Sequence, residues 1–178
     1  MPAAIWLQPQ GQQQQMLQGL IAALAKQHGT ALFLPHLTVC STRDWDSAKS
    51  ARAADYISGS ALLPLTVRKA GISYSTTTPL RAVVINIENN AELEAFREAL
   101  RRISGAAALG TPHISLLYTM DTRGPRVEWW SSDARLRGIA QDCAARIEAA
   151  RFVLGDPVIA ATEGDWTNIK SWRLVSKL

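Results

Sequence analysis

Apolar residues along the chain recur with two different periods, which together predict a mixture of helices and strands. At residues 12–27 they are spaced three or four apart, as on one face of an amphipathic helix, and Gly29 follows as a helix stop. Short aliphatic runs at residues 3–7 and 32–40 predict strands. Pro35 lies within the second run and cannot donate a ladder hydrogen bond, which favours an edge strand or a bulge there.

The remaining chain also alternates between predicted helices and strands. It predicts a helix capped by Asp44 or Asp46 and ending near residue 57, one capped by Asn89 or Asn90 and ending near residue 102, and one at 133–150. It predicts strands at residues 61–73, 81–87 and 112–118, and a closing hairpin at 152–161 and 168–175. Because residues 3–73 and 81–162 both have the order strand, helix, strand, helix, strand, we expect an α+β fold. Its two pseudo-symmetric lobes, each with an antiparallel sheet and flanking helices, would face each other across a cleft within one domain, 1–178.

Composition and charge narrow the class of protein. Hydrophobic residues make up 47% of the chain, as is ordinary for a globular protein, yet no apolar run approaches the ~20 residues that span a membrane. With no secretory pattern at the start, we expect a cytoplasmic protein. The net charge of +4 suits an anionic small ligand better than a long nucleic acid held by its backbone. Two cysteines are too few for a disulfide framework, so free thiols are expected.

Two of the three histidines occupy nearly identical settings. One lies in Pro35-His36-Leu37-Thr38-Val39 and the other in Pro112-His113-Ile114-Ser115-Leu116. Each histidine follows a proline and precedes, by two positions, a hydroxyl between aliphatic residues. A histidine that only completes a buried hydrogen-bond network would explain one isolated motif, but the doubled motif favours a shared function.

Strand geometry predicts what the doubled motif does. Side chains two apart on a strand point the same way, so His36 and Thr38 share one face, as do His113 and Ser115. Two such strands side by side would bring two imidazoles and two hydroxyls together. Imidazole acts as base or acid near neutral pH, and hydroxyls can stabilise non-bridging phosphate oxygens. This is the equipment for phosphodiester hydrolysis without a metal ion.

The doubled motif resembles the paired His-x-Thr/Ser signatures of the 2H phosphoesterase superfamily. Residues 112–118, with 5–9 and 33–39, look most like its cyclic phosphodiesterase branch. The resemblance covers essentially the whole chain and implies a bilobal fold, no cofactor, and hydrolysis of 2′,3′-cyclic nucleotides to 2′-phosphates. It also implies activity on ADP-ribose 1″,2″-cyclic phosphate.

Carried over to this sequence, the resemblance makes His36 and His113 the acid–base pair, with Thr38 and Ser115 as phosphate ligands. We expect His113 to activate water and His36 to protonate the leaving oxygen, although the motifs themselves leave the two roles interchangeable.

The resemblance also places aromatic residues at the nucleoside end of the cleft. Trp6 and Tyr118 are the first candidates, and Tyr74 is a further one. Tyr118 can reach the cleft only if its strand twists or ends after Leu117, and Trp6 could equally be a core aromatic. For Trp129 and Trp130 we expect a packing role.

Competing functions remain open at this stage. An RNA- or tRNA-processing relative would act on 2′,3′-cyclic ends or 2′–5′ linkages, but the modest charge argues against it. A non-catalytic nucleotide-binding module would not need two proton-transfer groups. Arg43, Arg123 and Arg126 follow the motif strands and could attract phosphate, but solvated loop charge explains them as well. We expect a monomer that acts on a small-molecule substrate, with no metal.

Overall fold

The structure is a computed structural model that describes residues 1–107, 110–121, 124–125, 132–162 and 168–178. The strands are β1 (Ala3–Pro9), β2 (Leu37–Thr42), β3 (Leu65–Tyr74), β4 (Val83–Ile87), β5 (His113–Leu117), β6 (Met120–Asp121), β7 (Gly124–Pro125), β8 (Arg151–Ala161) and β9 (Arg173–Lys177). The helices are α1 (Gly11–His28), α2 (Ser47–Ser58), α3 (Ala91–Ser104) and α4 (Asp133–Arg146), with short 3-10 turns at Pro79–Arg81 and Ile169–Ser171.

The helix ends follow from local chemistry. Asp46 and Asn90 cap α2 and α3, each side chain accepting a hydrogen bond from the backbone N–H three residues on. Gly29 and Gly105 end α1 and α3 in the left-handed conformation, with φ of 64° and 67°. These helix predictions are confirmed. Helix α4 ends four residues before its predicted limit because the chain there leaves the helix to pair with β3, where Lys69 N–H donates to the carbonyl of Ala150 at 2.9 Å.

Six antiparallel strands form one closed, barrel-like sheet. Its order is β1-β2-β5-β4-β3-β8, and β8 pairs back with β1 to close the ring. Strand β9 extends the sheet by pairing with the second half of β8, beyond the residues that pair with β3. The predicted closing hairpin is therefore present, although its second strand starts only at Arg173.

The two-lobe prediction required a separate sheet for each half of the chain. The strands do not form two such sheets. Strands of both halves share the ring, because β2 pairs with β5 and β3 pairs with β8. Exchanging β1, β2 and β3 with β4, β5 and β8 leaves the ring order unchanged. A pseudo-twofold relation between two lobes stays a prediction.

The first strand separates the core from the interior of the ring. Its odd positions Ala3, Ile5 and Leu7 join the main hydrophobic core, against which α1 packs. Its even positions Ala4 and Trp6 join a second buried cluster with Val158 and Ala160 of β8, and Trp172 packs on it. Both faces of β1 are therefore buried, and the even positions form part of the wall of a cavity described below.

Two further observations bear on the sequence predictions. Cys40 and Cys143 are both buried free thiols, as predicted. In the described ranges, no helix combines the length and apolar character required to cross a bilayer.

Candidate active site

The two motif strands are neighbours in the sheet. Leu37 of β2 lies opposite Ile114 of β5 in an antiparallel pair, and both side chains are fully buried in the core. In this register His36 comes next to Ser115, and Thr38 comes next to His113. The four polar side chains share the opposite face and line one cavity of about 320 Å³. That volume lies at the lower end of the range for small-ligand pockets.

Strand β2 begins at Leu37, later than the predicted start at residue 32. Pro35 has no N–H to offer to a ladder, so the segment before Leu37 runs unpaired. It is held by other contacts: the side-chain amide of Gln18 in α1 donates to the carbonyl of Phe33 at 3.3 Å. His36 therefore lies just before its strand, while His113 is the first residue of β5.

Both imidazoles are oriented by the same backbone contact. Nδ1 of His36 lies 2.7 Å from the carbonyl oxygen of Leu34, and Nδ1 of His113 lies 3.0 Å from that of Thr111. Because a carbonyl oxygen can only accept, Nδ1 carries the proton in each ring. The other ring nitrogen, Nε2, is then left to accept or deliver a proton.

Burial lowers the pKa of both histidines. The pKa of His36 falls to about 4, chiefly because the ring is desolvated; the Leu34 carbonyl opposes this, and the charge of His113 adds to it. The pKa of His113 is also lowered by desolvation first, with further contributions from the charges of Arg81 and Arg97. Both rings are therefore neutral at pH 7 in the unliganded protein.

The two hydroxyls differ in their present contacts. Ser115 is buried, and its Oγ donates to the carbonyl of Leu80 at 3.1 Å. Thr38 is only half-buried and lines the cavity. A phosphate in the cavity could take the Thr38 hydroxyl directly, whereas Ser115 would have to rotate its O–H from Leu80.

Aromatic side chains surround His36. Trp6 stacks on its imidazole with ring centroids 3.8 Å apart and planes at 14°, so Trp6 is both buried and part of the cavity wall. Tyr118 also lines the cavity, because β5 ends at Leu117 as its entry required. Tyr118 stacks on Phe33 at 3.8 Å, and burial raises the pKa of its hydroxyl.

Tyr74 is not brought to this cavity. It is the last residue of β3, and its hydroxyl lies 2.8 Å from Asp133 Oδ1 at the start of α4. The strand ends beside α4 instead of beside the motif strands, which explains the difference from the prediction.

Arg43 is exposed and does not line the cavity, while Arg123, Arg126, Trp129 and Trp130 lie outside the described residues.

Among the cavity residues that the sequence did not predict, three have aromatic or charged side chains: Trp172, Arg81 and Arg97. Trp172 contacts Trp6, His36 and Tyr118 edge to face. Arg81 and Arg97 reach the cavity from the 3-10 turn before β4 and from α3. No motif surrounds them in the sequence, and Arg97 occupies a buried helix face that its charge alone would assign to solvent.

The two histidines can each exchange a proton with one group bound in the cavity. The cavity offers two Nε2 atoms for proton transfer and two hydroxyls that can donate to an anion between them. Within the described ranges, no group of three or more His, Cys, Asp or Glu side chains is placed to hold a metal ion.

Comparison with known proteins identifies the fold. The chain is similar to Escherichia coli LigT in its complex with NADP⁺, with a TM-score of 0.59 and 11% identity over 99% of this chain and 93% of LigT. LigT in complex with ATP gives a TM-score of 0.55 and 11% identity over 100% and 96% of the two chains. Usb1 of Kluyveromyces marxianus gives 0.52 and 10% identity over 98% and 97%.

A scan against protein-family models and a search of curated proteins each give no match. At these identities the likeness establishes the fold alone. The chain therefore shares its fold with LigT and Usb1.

Proposed function

We propose that this chain is a phosphodiesterase that hydrolyses 2′,3′-cyclic nucleotides to nucleoside 2′-phosphates, with His36 and His113 as its acid–base pair. ADP-ribose 1″,2″-cyclic phosphate, which carries the same strained ring, is a second expected substrate. The observation that carries the proposal is the antiparallel pairing of the two motifs, which brings both imidazoles and both hydroxyls to one cavity. The fold supports it, since LigT with this fold has been crystallised with NADP⁺, ATP and phosphate.

The reaction needs one base and one acid on opposite sides of the phosphorus. Nε2 of His113 takes a proton from water as the water oxygen attacks phosphorus. The bond from phosphorus to O3′ breaks, and O3′ takes a proton from Nε2 of His36. The products are a 2′-phosphate monoester and a free 3′-hydroxyl, and exchange with solvent returns both rings to their starting states. Thr38 and Ser115 donate to the non-bridging oxygens as charge builds on them.

The surroundings of the two rings favour this division of roles. The guanidinium charges of Arg81 and Arg97 oppose protonation of His113, which suits a base. His36 lies flat against Trp6, whose ring face stabilises a cation. The pKa of His36 is about 4 in the unliganded protein, and a bound phosphate anion raises it by supplying the missing counter-charge.

The proposal is tested by hydrolysis of the four 2′,3′-cyclic nucleotides in EDTA. We expect turnover by the wild type, and loss by a factor of at least ~10³ in His36→Ala and in His113→Ala. His28→Asn is the matched control, because the third histidine is buried at the end of α1 and does not line the cavity. Circular dichroism confirms that each variant is folded.

The same assays distinguish the proposed activity from the RNA-processing role and from the non-catalytic nucleotide-binding module. A folded wild type that turns over none of the four nucleotides would contradict the proposal. An oligoribonucleotide ending in a 2′,3′-cyclic phosphate then tests the RNA-processing role. A 3′-phosphate product would reverse the predicted direction of ring opening. Ligand binding without turnover of any substrate would indicate the non-catalytic module.

A further inference from the structure

Two cationic side chains line the cavity without a carboxylate partner. Among the described residues, neither Arg81 nor Arg97 has an ion pair within 4.0 Å, whereas Arg101 and Arg102 on the same helix as Arg97 both pair with Glu98. Glu94 is near enough to raise the pKa of Arg97, but desolvation outweighs it, and a Glu94 carboxylate oxygen accepts a hydrogen bond from Asn89. The cavity therefore holds two guanidinium groups that no carboxylate in the described ranges pairs with directly.

Arg97 is the more unusual of the two, because it is only 9% exposed. Its Nη2 donates to the carbonyl of Gly110 at 2.8 Å, while its Nε is buried with no hydrogen-bond partner in the part of the chain that the structure describes. A buried N–H of a charged group without an acceptor is costly, so a position of this kind indicates that an anion belongs beside it. Arg81 lies near the same glycine, its Nη1 about 4.0 Å from where a Gly110 Cβ would stand.

Arg97 is held beside Gly110, three residues before His113 in the chain. The charges of Arg81 and Arg97 also lower the pKa of His113, so both guanidinium groups lie at its end of the cavity. Arg97 and Gly110 also line an adjoining cavity of about 440 Å³, which neither histidine lines and to which Arg101, Glu94 and Glu98 contribute as well. The cavity thus has Trp6 and Trp172 beside His36, the two motifs at its centre, and the guanidinium groups of Arg81 and Arg97 on the side of His113.

We propose that Arg81 and Arg97 form a subsite for a second phosphate of the substrate, beside the phosphate that is hydrolysed. This inference rests on the proposed function and narrows its substrate class to nucleotides that carry a further phosphate. The second phosphate is either a 5′-phosphate monoester on the same nucleoside or the phosphodiester that joins it to a preceding nucleotide. Both place an anion on the far side of the ribose from the cyclic phosphate.

Calorimetry with product-like ligands tests the subsite without requiring turnover. Adenosine 2′-phosphate is compared with adenosine 2′,5′-bisphosphate and with the dinucleotide adenylyl-(3′→5′)-adenosine 2′-phosphate. We expect the wild type to bind at least one of the two-phosphate ligands about tenfold or more tightly than adenosine 2′-phosphate, as charge-assisted hydrogen bonds to guanidinium groups provide. A gain with the bisphosphate identifies a monoester as the second phosphate, and a gain with the dinucleotide alone identifies the diester.

Three variants assign that preference to the arginines. Arg81→Gln and Arg97→Gln should each reduce it severalfold, whereas Arg102→Gln, which removes an exposed charge from the same helix, should leave it unchanged. If loss of the Gly110 contact unfolds Arg97→Gln, Arg81→Gln still decides, since the structure gives Arg81 no side-chain hydrogen bond to another described residue.

Other outcomes overturn the subsite. Equal affinity of the wild type for all three ligands would refute it. Equal weakening of all three ligands in the arginine variants would refute it too, because the guanidinium groups would then hold the reacting phosphate. Hydrolysis of adenosine 2′,3′-cyclic phosphate is measured separately. If the wild type hydrolyses this substrate but does not bind the two-phosphate ligands more tightly, only the subsite is refuted. If it binds them more tightly but hydrolyses nothing, the subsite is supported and the proposed phosphodiesterase activity is refuted.

Discussion

The buried state of His36 makes the stability of the fold depend on pH. The side chain is 6% exposed and its pKa is about 4 in the folded protein, against 6.5 for an ordinary histidine. At a pH between these two pKa values, His36 is protonated in the unfolded chain and neutral in the folded protein. The free energy of unfolding therefore falls as the pH drops below about 6.5, and the contribution of His36 is complete above that value. His36→Asn removes the titrating group while keeping a polar side chain.

The size of the effect follows from the shift in pKa. A difference of roughly 2.5 pKa units limits the contribution to about 3.4 kcal/mol, at about 1.36 kcal/mol for each unit. At pH 4.5, the unfolded ring is almost fully protonated and the folded ring is mostly neutral. There the wild type should have lost about 2.5 kcal/mol through His36 relative to pH 7.5.

Urea unfolding at pH 7.5 and pH 4.5 measures this quantity as a double difference. The wild type should lose about 2.5 kcal/mol more between the two pH values than His36→Asn does, because all other titrating groups are common to both proteins. Ile21→Val is the control, since it removes a buried methylene on α1 and no titrating group, and it should lose as much as the wild type. Equal losses in the wild type and in His36→Asn would show that burial does not lower the pKa of His36 in the folded protein.

Three further predictions concern catalysis of 2′,3′-cyclic nucleotide hydrolysis. Thr38→Val and Ser115→Ala should each lower kcat by about 10²-fold, because each removes a donor to the phosphate oxygens; steady-state kinetics in which only KM changes would contradict this role. Trp6→Leu should move the basic limb of the kcat–pH profile down by roughly half a pH unit, because the protonated acid loses the ring face that stabilises it; an unmoved limb would count against His36 as the acid. Tyr74→Phe should leave kcat/KM unchanged, since its hydroxyl contacts Asp133 away from the cavity, and a loss above about threefold would show that this placement is wrong.

Features of the fold that depend on neighbouring residues were predictable from the sequence. Features that depend on pairing between distant residues were not. Gly29, Asp46 and Asn90 act within one helical turn, so the chain around them contains the whole signal. The end of α4 was predicted too late because pairing of Ala150 with Lys69, far away in sequence, decides it. The closed ring could not be derived for the same reason, since contacts between β3 and β8 join opposite halves of the chain.

The residues of the cavity likewise include some that the sequence predicted and others that only the fold brings there. The repeated Pro-His-x-Thr/Ser pattern predicted that four polar side chains share a face, because alternation along a strand is a local rule, and the four line one cavity. Trp172 and Arg97 belong to the site only through the fold, one from the turn before β9 and the other from α3. Tyr74 shows the opposite error, because a strand end in the sequence does not tell which neighbour the strand ends against.

The prolines of the doubled motif acquire a physical role from the structure. In each motif, the carbonyl that accepts from histidine Nδ1 belongs to the residue before the proline, Leu34 in one and Thr111 in the other. Proline fixes its own φ near −65° and keeps the preceding residue extended, so the carbonyl is held at one distance from the ring two positions later. The same local contact thus sets both rings to the same tautomer and leaves Nε2 of each free of the proton. The proposed reaction requires this arrangement at two points of one bound group, which gives the recurring proline a physical reason within that proposal.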